Sequence, residues 1–151
     1  MHTRWFEDFR VGDRFESRGV TLTESQIVDF ALTYDPQQMH VNAAAAADGM
    51  FGGLIASGFQ TLALSFRLFF DLGLMEKSNI VGPGMDEVRW LAPVRPGDTL
   101  RSVVEVLETR GSRSRADRGT VRFGFTVENQ HGERVLTYQA LTIIRRRPEE
   151  G

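Results

Sequence analysis

From Val121 to Val127 the chain alternates with a period of two, Val121, Phe123, Phe125 and Val127 standing against Arg122, Thr126 and Glu128. That pattern predicts a strand with one buried and one wet face. Similar readings predict strands over about 84–92, 99–109 and 133–146, with "PVRPGD" joining the first two and "NQHG" making a tight hairpin before the last. Before Asn79 the pattern is different. Residues 12–22 ("GDRFESRGVTL") predict one short strand, and "TESQ" then predicts a helix start by a capping box, in which Thr23 accepts from the Gln26 N–H and the Gln26 side chain reaches back. Leu22 and Ile27 are placed for a hydrophobic staple across that cap, and Ile27, Phe30 and Ala31 share the buried stripe. Pro36 stops this helix, because the residue before a proline is pushed out of the α region. Asp35 is that residue. Asn42 is placed to cap a short helix over the alanines 43–47, closed by Gly49, so Asp35 and His40 bracket a predicted loop.

The longest predicted helix runs from Gly58 to about Leu72, with Ser57 and Gln60 as a second capping box and Gly73 as its stop. Leu62, Ala63, Leu64, Phe66, Leu68, Phe69 and Phe70 make it apolar nearly all round, which predicts a helix enclosed by protein. One strand, then helices, then antiparallel strands to the end predict an α+β domain whose sheet curls around a buried central helix.

The 151 residues suit a single domain, and 41% hydrophobic and 25% charged residues are ordinary globular proportions. A formal net charge of -2 gives no field to draw nucleic acid or an anionic membrane, so neither is an expected partner. The absence of cysteine removes disulfides, thiolate nucleophiles and thiolate metal sites together. The segment "MHTRWFEDFR" has no apolar core of signal-peptide length, and no run reaches the roughly 18 apolar residues of a spanning helix. The expectation is a cytoplasmic protein without repeats or low-complexity segments.

Candidate chemistry centres on "TYDPQQMHVN". An imidazole changes charge near neutral pH, and a nearby carboxylate orients it and makes it a better base, so Asp35 and His40 suit proton transfer to and from water. The bare spacing is also that of a structural hydrogen bond. His2 and His131, at a terminus and in a turn, read as solvated. A second candidate is the start of the long helix. With Ser57 as N-cap, the Gly58 N–H has no intrahelical partner, and an orphan donor at the positive end of a helix can stabilise an oxyanion. The alternative is that Ser57 and Gly58 merely begin a buried helix. No nucleophile elbow, phosphate-binding loop or spaced metal-ligand set is present, so no metal is expected. Arg110, Arg113, Arg115 and Arg118 read either as a solvated loop or as contacts for ligand phosphates, and residues 145–147 as a soluble tail.

The order of four segments, "WFEDFRVGDRFES", "DFALTYDPQQMHVN", "FGGLIASGFQTLAL" and "LAPVRPGDTL", resembles the MaoC-like dehydratase family, which includes the (R)-specific enoyl-CoA hydratases. The resemblance spans about Trp5 to Ile144. It implies a hot-dog fold, an antiparallel sheet wrapped around one long helix, with a homodimer joining two sheets and substrate tunnels near the interface. It implies that Asp35 and His40 hold and activate water for addition to the double bond of an enoyl thioester, and that Gly58 supplies the backbone oxyanion donor. Many relatives carry His where this chain has Ser57, and Asp where it has Asn42. Both positions are therefore candidates for contact with the acyl group or for orienting the loop. Phe51, Leu54, Ile55 and Phe59 are candidates for an acyl pocket, with core packing as the alternative. The expected substrate is an enoyl-CoA, whose coenzyme A belongs to the substrate, with no further cofactor. An acyl-CoA thioesterase and a noncatalytic acyl-thioester-binding protein are the rival readings.

Overall fold

A computed structural model describes residues 2–150. Its elements are β1 (Arg14–Glu16), β2 (Val20–Thr21), α1 (Glu24–Tyr34), α2 (Gln38–Val41), α3 (Ala43–Ala47), α4 (Gly58–Phe70), β3 (Asn79–Trp90), β4 (Thr99–Gly111), β5 (Arg118–Glu128) and β6 (Arg134–Arg145). All strand pairs are antiparallel, in the order β1-β4-β5-β6-β3, with β2 also on β4. The α+β arrangement of a curled sheet against a long helix is the one the sequence predicts.

The alternation of β5 is realised in full: Val121, Phe123, Phe125 and Val127 are all at most 2% exposed. They meet Phe69 of α4, which packs edge-on against Phe123 and Phe125 at 5.1 and 5.2 Å between ring centres. Phe9, from the short N-terminal turn, closes the other side of Phe123 at 5.5 Å. Burying aromatic side chains of this size contributes about 1.5–3 kcal/mol each, so the Phe69 cluster is the main attachment of α4 to the sheet. A polar link accompanies it. Ser65 on α4 lies 2.7 Å from the Tyr138 hydroxyl, and Ser102 donates to the Ser65 carbonyl at 2.8 Å. Burial pushes the Tyr138 hydroxyl well above the usual tyrosine range, opposed in part by its bond to Ser65.

Several expectations are corrected. The strand of residues 12–22 is broken into β1 and β2, because the sum of paired numbers on β4 changes from Arg14↔Glu105 to Val20↔Leu100, a one-residue slip absorbed at Ser17–Gly19. β3 begins at Asn79 rather than at 84 and contains Pro83. A proline is tolerated there because β3 is an edge strand with hydrogen bonds on one side only. α4 is not enclosed all round. Its buried positions are Gln60, Thr61, Ser65, Leu68 and Phe69, while Phe59 and Phe70 are 58% and 36% exposed. One chain covers one face of the helix, and three of the covered positions are polar.

β3 carries a second feature that the sequence does not show. Asp86 lies opposite Gln139 and Arg89 opposite Thr137, so β3 holds one extra residue there. Glu87, at φ 56°, occupies the bulge. Asp86 points to the outer face, where Arg122 binds it at 2.6 Å. Without the bulge Trp90 would share that face. With it, Trp90 stands opposite the buried Leu136, on the side of α4.

Candidate active site

The capping box at Thr23 forms as expected, with the Gln26 N–H donating to Thr23 Oγ1 at 3.2 Å and the Thr23 N–H to Gln26 Oε1 at 3.0 Å. Leu22 and Ile27 are both buried across it. α1 ends at Tyr34, and Asp35 leaves the helix at φ -152°, ψ 69°. The following segment is not a plain loop: His40 sits on the one-turn helix α2, too short to leave a periodic signature. The residue that anchors α2 is Ile55. Its N–H donates to the Met39 carbonyl at 3.0 Å, and its carbonyl accepts from His40 Nδ1 at 2.7 Å.

That second bond decides the chemistry of the imidazole. A carbonyl only accepts, so Nδ1 carries the proton and Nε2 of the neutral ring presents a lone pair. Nε2 lies 3.4 Å from Asp35 Oδ2. While the ring is neutral these two atoms are both acceptors and do not bond to each other. His40 is 3% exposed, and the Asp35 side chain 12%.

Asp35 is held as an anion. Ser57 Oγ donates to Oδ2 at 2.6 Å and Gln37 Nε2 to Oδ1 at 2.8 Å. The Ser57 bond is the main cause that keeps the carboxyl below its ordinary range; the Gln37 bond adds to it, partial burial opposes it, and the charge of a protonated His40 would lower it further.

Ser57 corrects a second expectation. Its hydroxyl accepts from the Phe59 N–H at 3.3 Å, not from that of Gln60, and the Gln60 amide donates to the Gln26 carbonyl at 3.1 Å. No capping box forms: the Ser57 oxygen accepts from the Phe59 N–H while its hydrogen goes to Asp35, and the Gln60 side chain joins α4 to α1 instead of reaching back to Ser57. The Gly58 N–H, as expected, has no hydrogen-bond partner among the described residues. The glycine has a reason beyond ligand approach. A Cβ there would meet Trp90 Nε1 at 2.5 Å, and that indole N–H donates to the Gly58 carbonyl at 3.0 Å.

Asp35, His40 and Gly58 open on one cleft of about 490 Å³, whose walls include Met39, Phe51, Ile55, Phe59 and Trp90. Of the acyl-pocket candidates, Phe51, Ile55 and Phe59 line it, whereas Leu54 is buried in the fold away from it. Ser57 is fully buried behind Asp35 and does not line the cleft. Asn42 does not line it either: its side chain caps α3, accepting from the Ala45 N–H at 3.0 Å. Trp90, Thr61 and residues 91–94 complete the walls, and sequence reasoning missed them all. Trp90 was hidden by the bulge, which reverses the face its position implies. Among the described residues, no group of three or more His, Asp or Glu side chains converges as a metal would require, and no helix is long and apolar enough to cross a membrane.

Residues 8–129 match the family model described as the MaoC like domain. The chain belongs to the MaoC-like family. Its fold is the hot-dog fold. Among its relatives, the uncharacterized protein YdeM of Bacillus subtilis is 34% identical over 140 residues, covering 93% of this chain and 98% of the relative. The MaoC-like dehydratase from Rhodospirillum rubrum superposes with a TM-score of 0.89 at 39% identity, over 96% of this chain and 99% of that one. The R-hydratase PhaJ1 from Pseudomonas aeruginosa superposes with a TM-score of 0.76 at 27% identity, over 95% and 86% of the two chains.

Proposed function

We propose that this MaoC-like domain is a hydro-lyase that adds water reversibly to the double bond of a trans-2-enoyl-CoA, giving a 3-hydroxyacyl-CoA, with (R) stereochemistry as in the R-hydratase it resembles. The observation that carries the reading is the His40 Nδ1 bond to Ile55, which leaves Nε2 facing Asp35 Oδ2 at 3.4 Å in the same cleft as the unpaired Gly58 N–H.

The thioester carbonyl accepts from the Gly58 N–H, which draws electron density from the conjugated system and makes the β-carbon electrophilic. Water held between Asp35 and His40 attacks that carbon. Nε2 takes one of its protons as the oxygen bonds to the β-carbon, and that proton is passed on to the α-carbon, so that His40 returns to its neutral form and H and OH are added in all. In reverse the same groups dehydrate a 3-hydroxyacyl thioester. The thioester itself accepts the electrons, and the reading asks for no cofactor beyond the coenzyme A of the substrate. A homodimer is part of it: β3 is a twelve-residue edge strand with Val81, Met85 and Trp90 between 43% and 49% exposed, and an edge of that length calls for cover.

Replacing His40 by Ala or Asp35 by Asn is expected to lower kcat/KM by ~10²–10⁴, followed as loss of enoyl absorbance in variants that keep the wild-type circular dichroism at the assay temperature. Free thiol is assayed in the same reaction. Thiol release without loss of the double bond would identify a thioesterase, and full hydration by either variant would remove the pair from the mechanism.

A further inference from the structure

Thr61 is 2% exposed and yet lines the cleft. Its backbone N–H is bound to the Ser57 carbonyl at 3.2 Å. Its hydroxyl has no hydrogen-bond partner among the described residues. Hydroxyls inside helices commonly turn back to a carbonyl three or four residues earlier. In this chain Thr33 does so onto Asp29 at 3.2 Å, and Ser65 onto Leu62 at 2.7 Å. Thr61 does not. Nor is its oxygen sealed in: the one fully buried side-chain N or O atom without a partner among the described residues is Gln60 Oε1. The Thr61 oxygen therefore keeps some accessible surface, and the residue lines the cleft together with the apolar Ile55, Ala56, Ala92 and Val94. A hydroxyl at the cleft surface without a protein partner is free to bond a ligand oxygen in place of solvent.

The position of Thr61 says which part of a ligand that is. Three residues after Gly58, it lies on the same side of α4, about 4.5 Å further along the axis. It is also deeper, since Gly58 is only half-buried. With a thioester carbonyl on the Gly58 N–H, the pantetheine arm must leave toward solvent and the acyl chain runs inward past Thr61. The charge of the partner group is constrained too. Among the described residues no lysine or arginine lines the cleft, while Asp35 is kept anionic. A carboxylate in this place would meet repulsion without a compensating cation.

We infer that Thr61 determines specificity: its hydroxyl hydrogen-bonds a neutral oxygen on the acyl chain, near the fourth carbon, so that the cleft prefers a short polar-substituted acyl thioester over the plain alkyl one. This rests on the reading of the cleft as an enoyl-thioester site.

The test compares kcat/KM for crotonyl-CoA, 4-hydroxycrotonyl-CoA and fumaryl-CoA in the wild type, Thr61→Val and Thr61→Ser. The wild type is expected to favour the hydroxylated substrate over crotonyl-CoA about three- to tenfold, the yield of one neutral hydrogen bond, with the carboxylate the poorest of the three. Thr61→Ser keeps that preference and Thr61→Val loses it. Calorimetric affinities for butyryl-CoA and 4-hydroxybutyryl-CoA, which have no double bond to hydrate, give the same ratio independently of turnover. If the wild type hydrates none of the enoyl substrates, the hydration reading fails, and the binding ratio still decides the role of Thr61. A preference that survives in Thr61→Val, an equal loss on both substrates, or a preference for the carboxylate would overturn the inference.

Discussion

At the scale of single residues, the site is built from acceptors whose donors are already assigned. Asp35 receives Ser57 on one oxygen and Gln37 on the other, and only Oδ2 also faces His40. Ser57 acts through Asp35 and touches nothing in the cleft, so it is a positioning residue. Its removal should be read in pH dependence. Because Asp35 is held below its ordinary 3.8, its charge stabilises the fold above that pH, and the contribution is lost as the pH falls through the lower folded value. Ser57→Ala releases the first of the bonds that lower it, so acid unfolding is expected to begin at higher pH. The loss of stability at neutral pH is bounded by one hydrogen bond to a charged group, about 1.5–3 kcal/mol. An acid-unfolding midpoint that does not move would show that Ser57 does not tune the carboxylate.

At the scale of elements, the walls of the site depend on a defect in β3. The extra residue at Glu87 turns Trp90 from the outer face toward α4, where its ring covers Gly58. A non-glycine residue at φ 56° is strained by its own Cβ, and asparagine tolerates this region better than most. Glu87→Asn is therefore expected to raise stability by about 0.5–1 kcal/mol, and Glu87→Val to lower it by about 1–2 kcal/mol, in denaturant titrations. Deleting Glu87 is the sharper experiment. It restores the regular pleat, sends Trp90 to the outer face, and should quench hydration while the sheet persists by circular dichroism.

At the scale of the whole molecule, part of the apolar surface left by one chain lies on β3 and on the outer side of α4. Val81 and Met85 are 49% and 43% exposed on the edge strand, and Phe59 and Phe70 project from the helix. Sedimentation equilibrium is expected to give twice the chain mass, and Val81→Arg with Met85→Arg to give a monomer of lower thermal midpoint. A wild-type monomer at micromolar concentration would refute the homodimer. The same surface explains one failed expectation. α4 reads as apolar nearly all round, yet the positions it turns to its own sheet include Thr61 and Ser65, and much of its apolar surface faces outward.

What the sequence determined by itself is whatever local geometry repeats or terminates. Alternation fixed the face of every residue in β5, the capping box fixed the start of α1, and Pro36 fixed where Asp35 leaves it, because each depends only on neighbours a few positions away. The resemblance of four segments located Asp35, His40 and Gly58, and the fold brings them to one cleft. Tertiary structure decided the rest. That His40 presents Nε2 follows from a carbonyl fifteen residues away, that Ser57 serves Asp35 follows from a contact across twenty-two, and that Trp90 guards Gly58 follows from a bulge visible only in the pairing with β6. Hydrogen-bond partners and strand register are set by which segments meet in space, and a chain read in order does not contain those distances.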